Sequence, residues 1–287
     1  MKKKKKRKKT LVPVLIVIIA IVIAIAIYLL CGMSLKLEIT EYTVKSDKIK
    51  GEITIAHLSD LHCAEYGKGQ QELVDAVKKY SPDFVAMSGD MADKRYDSSP
   101  AFVLTKALAA DYPVYFCIGN HENAYKGSVK KIRNEFEEAG AVTLHGTGDR
   151  ITVGENELLV CGVDDPMCAP DYNLRMWENQ LEDCKEMLES GVFSVLLSHR
   201  PECVGDYADS GFDLVLSGHA HGGQVRIPGL INGVYAPHQG YFPKYAGGCY
   251  FLSGNTSLIV SRGLAKNILP RVYNRPEIVI IHIVGES

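Results

Sequence analysis

Five short apolar runs in this chain end in the same kind of residue, and that recurrence constrains the fold more than any other feature. Ile53–Leu58 runs into Ser59-Asp60-Leu61-His62, and Phe84–Met87 into Ser88-Gly89-Asp90. Val114–Ile118 runs into Gly119-Asn120-His121-Glu122. Phe193–Leu197 ends at Ser198-His199, and Leu214–Leu216 at Ser217-Gly218-His219-Ala220-His221. Short apolar runs bounded by turn residues read as strands buried on both faces. Between them lie segments of helical periodicity: Gln70–Tyr80, with Leu73, Val74, Val77 and Tyr80 on one face, then Ala101–Ala110, Val129–Ala139 and Leu174–Glu189. Further strands are expected at Leu35–Tyr42, Leu158–Val163, Ser257–Ser261 and Ile278–Val284. This alternation points to an α/β fold with one or two largely buried sheets. The carboxyl ends of strands line the binding crevice in such folds, so the polar residues are expected to gather at one edge. The neighbouring glycines allow the backbone to turn sharply and approach a ligand closely.

The gathered set would offer two carboxylates (Asp60, Asp90), one amide oxygen (Asn120) and four imidazoles (His62, His199, His219, His221). Mixed oxygen and nitrogen donors suit manganese, iron or zinc better than calcium or magnesium. The set is too large for one tetrahedral ion but serves two divalent ions that share a carboxylate. A single histidine at a strand end is ordinarily a loop residue. Five strand ends carrying the pattern in order are not explained that way.

The string D-x-H, G-D-x-x-D, G-N-H-E, an isolated His and G-H-x-H, from Asp60 to His221, resembles the calcineurin-like metallophosphoesterase superfamily. The resemblance implies two packed mixed β-sheets flanked by helices. It implies one metal on Asp60, His62 and His221, a second on Asn120, His199 and His219, and Asp90 bridging the two. His121 is then the catalytic histidine that protonates the leaving oxygen, with Asp93 orienting it, while a hydroxide held between the ions attacks phosphorus in line. Arg200, Arg226 and Arg262 are candidates to clamp a phosphate, against a reading as ordinary surface arginines. His57, His145, His238 and His282 fall outside the motifs and read as structural. The Gly- and Pro-rich stretch Tyr235–Tyr250 reads as one long loop, either rimming the substrate pocket or simply packing.

A narrower resemblance rests on Ser198-His199-Arg200-Pro201-Glu202, Gly218-His219-Ala220-His221-Gly222-Gly223-Gln224, Ser261-Arg262-Gly263-Leu264 and Arg275-Pro276-Glu277-Ile278. These resemble the membrane-anchored branch, whose members include UDP-2,3-diacylglucosamine hydrolase-like enzymes. G-N-H-E departs from the G-N-H-D common there. A lipid-linked or envelope phosphodiester or pyrophosphate is the expected substrate. A broad-specificity phosphomonoesterase on soluble esters is the alternative, and the complete donor set with His121 argues against a non-catalytic scaffold.

The N-terminus fits a membrane location. Lys2–Lys9 is wholly basic, and Leu11–Leu30 contains no charge. Twenty helical residues span roughly 30 Å, the thickness of a bilayer core. The run exceeds the apolar stretch of an ordinary cleaved signal, so an uncleaved single-pass anchor is expected over 11–33, with the basic tail 1–10 cytoplasmic. A connector with the first strand, 34–50, and a catalytic domain, 51–287, would follow on the outer side. With the eight basic tail residues set aside, 24 basic residues face 34 acidic ones, a net of −10. An acidic body excludes broad binding to nucleic-acid backbones. The eight cysteines include no C-x-x-C pair, so a thiolate zinc site is not expected. Whether they pair is left open by the sequence.

Overall fold

The computed structural model describes residues 2–123, 129–168, 174–266 and 270–286. In chain order its strands are β1 (Glu38–Ser46), β2 (Glu52–Leu58), β3 (Phe84–Met87), β4 (Val114–Phe116), β5 (Val142–Thr143), β6 (Thr147–Val153), β7 (Asn156–Gly162), β8 (Phe193–Leu197), β9 (Leu214–Ser217), β10 (Tyr235–Ala236), β11 (Gly240–Tyr241), β12 (Gly248–Phe251), β13 (Ser257–Val260) and β14 (Glu277–Gly285). Its helices are α1 (Lys2–Gly32), α2 (Gln71–Lys78), α3 (Ser99–Ala109), α4 (Asn120–Asn123), α5 (Val129–Glu138), α6 (Leu174–Glu186) and α7 (Val204–Ala208).

Two six-stranded mixed sheets form, ordered β1-β14-β2-β3-β4-β5 and β12-β13-β9-β8-β7-β6. The continuous apolar runs follow from burial on both faces of each sheet. Ile53, Ile55, Val279 and Ile281 of the first sheet meet Val160, Val195, Leu197 and Leu216 of the second in one core. The opposite faces carry Ala56, Leu58 and Ile280 against α2, α3 and α5, and Leu159, Cys161 and Leu196 against α6 and α7. Helices therefore flank a two-sheet sandwich, the architecture expected from the sequence. Strands β2, β3 and β4 run parallel, as do β7, β8 and β9, which puts their carboxyl ends along one edge.

Some elements differ from expectation. The first strand begins at Glu38 rather than Leu35 and continues to Ser46, because it pairs residue for residue with β14, which itself begins at Glu277. The 235–250 stretch is not a single loop. It contains the small hairpin β10–β11 and enters β12, which extends the second sheet beside β13. Strand β6 closes the other edge of that sheet. Among the described residues Cys31, Cys63, Cys117, Cys161, Cys184, Cys203 and Cys249 are free thiols.

The apolar part of α1, Val12–Gly32, is long and hydrophobic enough to cross a membrane, and it is exposed along its length until Gly32, which is buried. A signal sequence has the same character. Its foot touches the body: the Tyr273 amide donates to Gly32 O at 2.8 Å and Tyr273 Oη to Tyr28 O at 2.8 Å.

Candidate active site

The turns that leave β2, β3 and β9 at their carboxyl ends are tight. Asp60, His62, Asp90, His219 and His221 adopt positive φ of 51°, 45°, 53°, 66° and 48°. Left-handed backbone is costly for non-glycine residues and concentrates at functional sites, where surrounding structure holds it. Two glycines make the close packing possible. A Cβ on Gly89 would lie 2.6 Å from Gly119 N and 2.8 Å from His199 Nδ1, and one on Gly218 would lie 2.3 Å from Asp60 Oδ2.

The side chains converge in two overlapping groups. Asp60, His62, Asp90 and His221 form one, and Asp90, His199 and His219 form the other, all buried. His62 Nε2 lies 3.6 Å from Asp90 Oδ2, and His221 Nε2 lies 3.5 Å from Asp60 Oδ1. His199 Nε2 lies 3.2 Å from Asp90 Oδ2 and 3.3 Å from His219 Nδ1. Asp90 belongs to both groups, and its Oδ1 accepts from the His121 amide at 2.8 Å. Asn120 opens α4 directly beside this point.

Electrostatics and satisfaction both call for cations here. Asn120 Oδ1, His219 Nε2 and His221 Nδ1 are buried with no hydrogen-bond partner among the described residues. Buried polar atoms are seldom left unpaired, and ligand atoms awaiting a metal are a ready explanation. Burial alone disfavours a charged His199, but Asp90 and Asp60 outweigh it and push the imidazole up to about 10. A positive charge at this point is thus strongly favoured. Burial drives Asp60 upward, whereas the surrounding histidines, His199 foremost, hold Asp90 well below the carboxylate range against its own burial. Burial and the neighbouring cations hold His219 and His221 in the neutral form that ligates metals.

Outer groups orient the inner ones. His199 Nδ1 lies 2.7 Å from Ser88 O, so Nδ1–H donates to the carbonyl and Nε2 is turned toward Asp90. Asp93 Oδ2 lies 3.1 Å from His62 Nδ1 and 3.0 Å from His121 Nδ1. Carboxylate–histidine pairs of this kind fix tautomer and ring direction. Burial opposes the Asp93 charge, but hydrogen bonds from His121, His62 and Arg95 keep it well below the usual range. Burial also opposes a charged His121, yet Asp93 and Asp90 raise it above its ordinary value. The His121 side chain is 30% exposed, so it faces solvent at the rim of the cluster.

Sequence reasoning missed two residues. Glu122 is fully buried and accepts from the amides of Asp90, Ala92 and Gly119 at 2.9, 2.8 and 2.9 Å. Burial and Asp90 push it up to about 8. It ties the turn after β3 to the turn after β4, which gives the G-N-H-E ending a structural purpose. His238, read as structural, stacks on the His219 ring with centroids 5.4 Å apart and lies within ligating reach of Glu202 and His219. It is exposed, and no periodicity or spacing marks it in the sequence. The other three histidines lie apart from the cluster. His57 is buried against Ser88 and pushed down to about 3 by that burial, His145 is exposed, and His282 pairs with Glu52 and Glu41.

Of the three arginines weighed as phosphate clamps, Arg200 and Arg262 are held by carboxylates instead. Arg200 is buried in a bidentate pair with Asp165, with Nη2 at 2.8 Å from Oδ1. Arg262 is committed to Glu277 and Glu38. Arg226 bonds Asn232. Arg226 and Arg262 line a separate cavity at the foot of α1, bounded by none of the cluster residues. An arginine beside a motif reads as a ligand contact in sequence, but nearby carboxylates and packing already claim Arg200 and Arg262.

Comparison with known proteins agrees with this geometry. The family profile described as calcineurin-like phosphoesterase matches residues 53–223. The uncharacterized metallophosphoesterase YkuE of Bacillus subtilis is 28% identical over 256 residues, covering 85% of this chain and 84% of the relative. The phosphodiesterase YaeI of Escherichia coli is 26% identical over 239 residues, covering 80% of this chain and 82% of the relative. Among solved structures, the protein TT1561 of Thermus thermophilus shares the fold with a TM-score of 0.52 at 14% identity, covering 74% of this chain and 90% of that one.

Proposed function

The chain belongs to the calcineurin-like phosphoesterase family, whose members bind a dinuclear metal centre, and we propose that it cleaves phosphodiester or pyrophosphate bonds of a lipid-linked or envelope substrate. It is a metal-dependent phosphoester hydrolase. In this reading Asp60, His62 and His221 would hold one divalent ion and Asn120, His199 and His219 the other, with Asp90 available to both. Manganese, iron or zinc suits the mixture of carboxylate, amide and imidazole donors. Bound there, two such ions offset the charge of the phosphoryl group and acidify a water.

The chain's own residues supply the rest. Asp93 fixes the His62 ring and, with Asp90, strengthens the hold of His121 on its proton. His121, at the rim, then gives its proton to the departing oxygen. The Ser88 carbonyl orients the His199 ring, and Glu122 holds the two turns in register. The observation that carries this reading is the convergence of the strand-end donors, with Asn120 Oδ1, His219 Nε2 and His221 Nδ1 buried and without a hydrogen-bond partner among the described residues.

The substrate class rests on α1. An apolar span of 21 residues ending where the body begins favours an anchored enzyme close to the bilayer. The basic tail favours a cytoplasmic N-terminus and an outward-facing body, which speaks for an external phosphoester over a UDP-linked one made in the cytosol. A resemblance to the membrane-anchored branch supports the same choice. The test is a panel of lipid and soluble phosphoesters assayed with added manganese. Preference for lipid-linked diesters or pyrophosphates supports the reading. Faster turnover of soluble monoesters contradicts it.

A further inference from the structure

A second concentration of positive charge lies away from the catalytic cluster. A cavity of about 380 Å³ opens between the foot of α1 and the body, with Cys31, Gly32 and Ser34 on one side and Arg226, Arg262 and Arg275 on the other. That volume is in the range of ordinary ligand sites. Two of the three guanidinium groups lack an acidic partner among the described residues. Arg226 donates from Nη2 to the neutral Asn232 Oδ1, and its Nη1 is buried with no partner among the described residues. Arg275 is exposed and pairs with no carboxylate among the described residues. Arg262 is shared between Glu277 and Glu38, and Glu38 also lines the cavity. Three cations against two carboxylates leave the pocket cationic. Burial, and Arg262 beside it, already hold Arg226 below its ordinary value.

The position of the cavity matters as much as its charge. Its wall includes the last residues of the apolar span, Val12–Gly32. At 1.5 Å per residue such a helix crosses roughly 30 Å, so its end emerges at the headgroup layer. The contact is fixed by both Tyr273 hydrogen bonds and by the Tyr28 and Tyr273 rings, whose centroids lie 4.6 Å apart. Gly32 packs so closely that a Cβ would lie 2.5 Å from the Tyr273 ring. The turn that contributes Pro228 also carries Leu230, 79% exposed beside the cavity wall. An apolar side chain at that level can enter the bilayer interface.

We propose that this cavity binds the phosphate of an anionic lipid headgroup, with Arg226 and Arg275 as its principal donors, and so seats the body on the membrane surface. Guanidinium forks match phosphate oxygens in pairs, and a desolvated donor with no partner gains most from such a ligand. The inference rests on the membrane reading of α1 but not on the assignment of the metal ligands.

The test uses the full chain extracted in detergent, with phosphatidylglycerol, diacylglycerol and inorganic phosphate as probes and native mass spectrometry as the readout. The parent protein should retain phosphatidylglycerol, and the doubly substituted Arg226→Gln, Arg275→Gln protein should bind it at least about tenfold more weakly, the scale of a lost charge-assisted bond. Arg275→Gln alone, at an exposed position, should weaken it in the same direction without disturbing the fold. Hydrolysis of a soluble phosphodiester should be unchanged in both, which also certifies that the variants are folded. Equal retention of phosphatidylglycerol by parent and variants overturns the proposal. So does equal retention of diacylglycerol, or displacement of the lipid by inorganic phosphate as readily as by more lipid, which would assign the pocket to a soluble anion. The intact mass separates the two layers of the argument. A mature protein lacking the helix removes both the membrane reading and this site, whereas a retained helix with unchanged lipid binding removes this site alone.

Discussion

One oxygen of Asp93 serves two histidines at once, His62 at 3.1 Å and His121 at 3.0 Å, and that sharing links metal binding to proton transfer. His121→Ala should retain metal and lose roughly 10²–10⁴-fold in rate on esters with poor leaving groups, with a smaller loss on activated ones. Full activity of that variant on a poor leaving group would exclude His121 as the acid. Asp93→Asn, assayed at saturating metal, separates the two duties. A general acid works while protonated, so rate falls as pH rises through its pKa. Asp93 raises the pKa of His121, so its loss should move the alkaline limb of the kcat/KM profile to lower pH. An unmoved limb contradicts the assignment. The seven proposed ligands could be nominated from sequence because each follows an apolar strand, and strand ends share an edge. Glu122 and His238 could not, because their roles arise from contacts between turns far apart in the chain. The arginines stayed ambiguous for the converse reason, since Asp165 and Glu277, which claim two of them, lie 35 and 15 residues away in sequence.

Between the elements, the turns are held by few groups, so single changes should propagate. Glu122→Ala would strip three buried amides of their acceptor. Each costs about 1–3 kcal/mol, which sums to at least about 3 kcal/mol. For a domain of this size that lowers the melting temperature by roughly 6 °C or more, and calorimetry of the metal-free protein measures it. A drop under about one degree would mean that water or a shifted backbone replaces the carboxylate. Strands buried on both faces were legible as apolar runs, and β3 and β8 fall at the residues expected, Phe84–Met87 and Phe193–Leu197. Edge strands were not. In β6 every residue is partly or fully exposed, and β12 is framed by glycines and aromatics, so neither shows a hydrophobic signal. The start of β1 is set by its partner β14, at a separation no local pattern reports.

For the molecule as a whole, the four-layer sandwich was legible because two sheets with helices outside are the arrangement that buries both faces of so many apolar strands. The seat of α1 on the body was not, since it depends on Tyr273, far along the chain. The proposed topology makes the body digestible by protease added to intact cells from outside. Protection until lysis would place it in the cytoplasm and reverse the substrate argument. Deeper than either question is whether these strand ends form one bridged two-ion centre. Metal stoichiometry of purified protein and of Asp90→Ala, measured by elemental mass spectrometry alongside activity, tests this most directly. The account predicts two divalent ions per chain in the parent and loss of both metal and activity in the variant, because Asp90 lies in both donor groups. An Asp90→Ala protein that keeps two ions and full activity would contradict it.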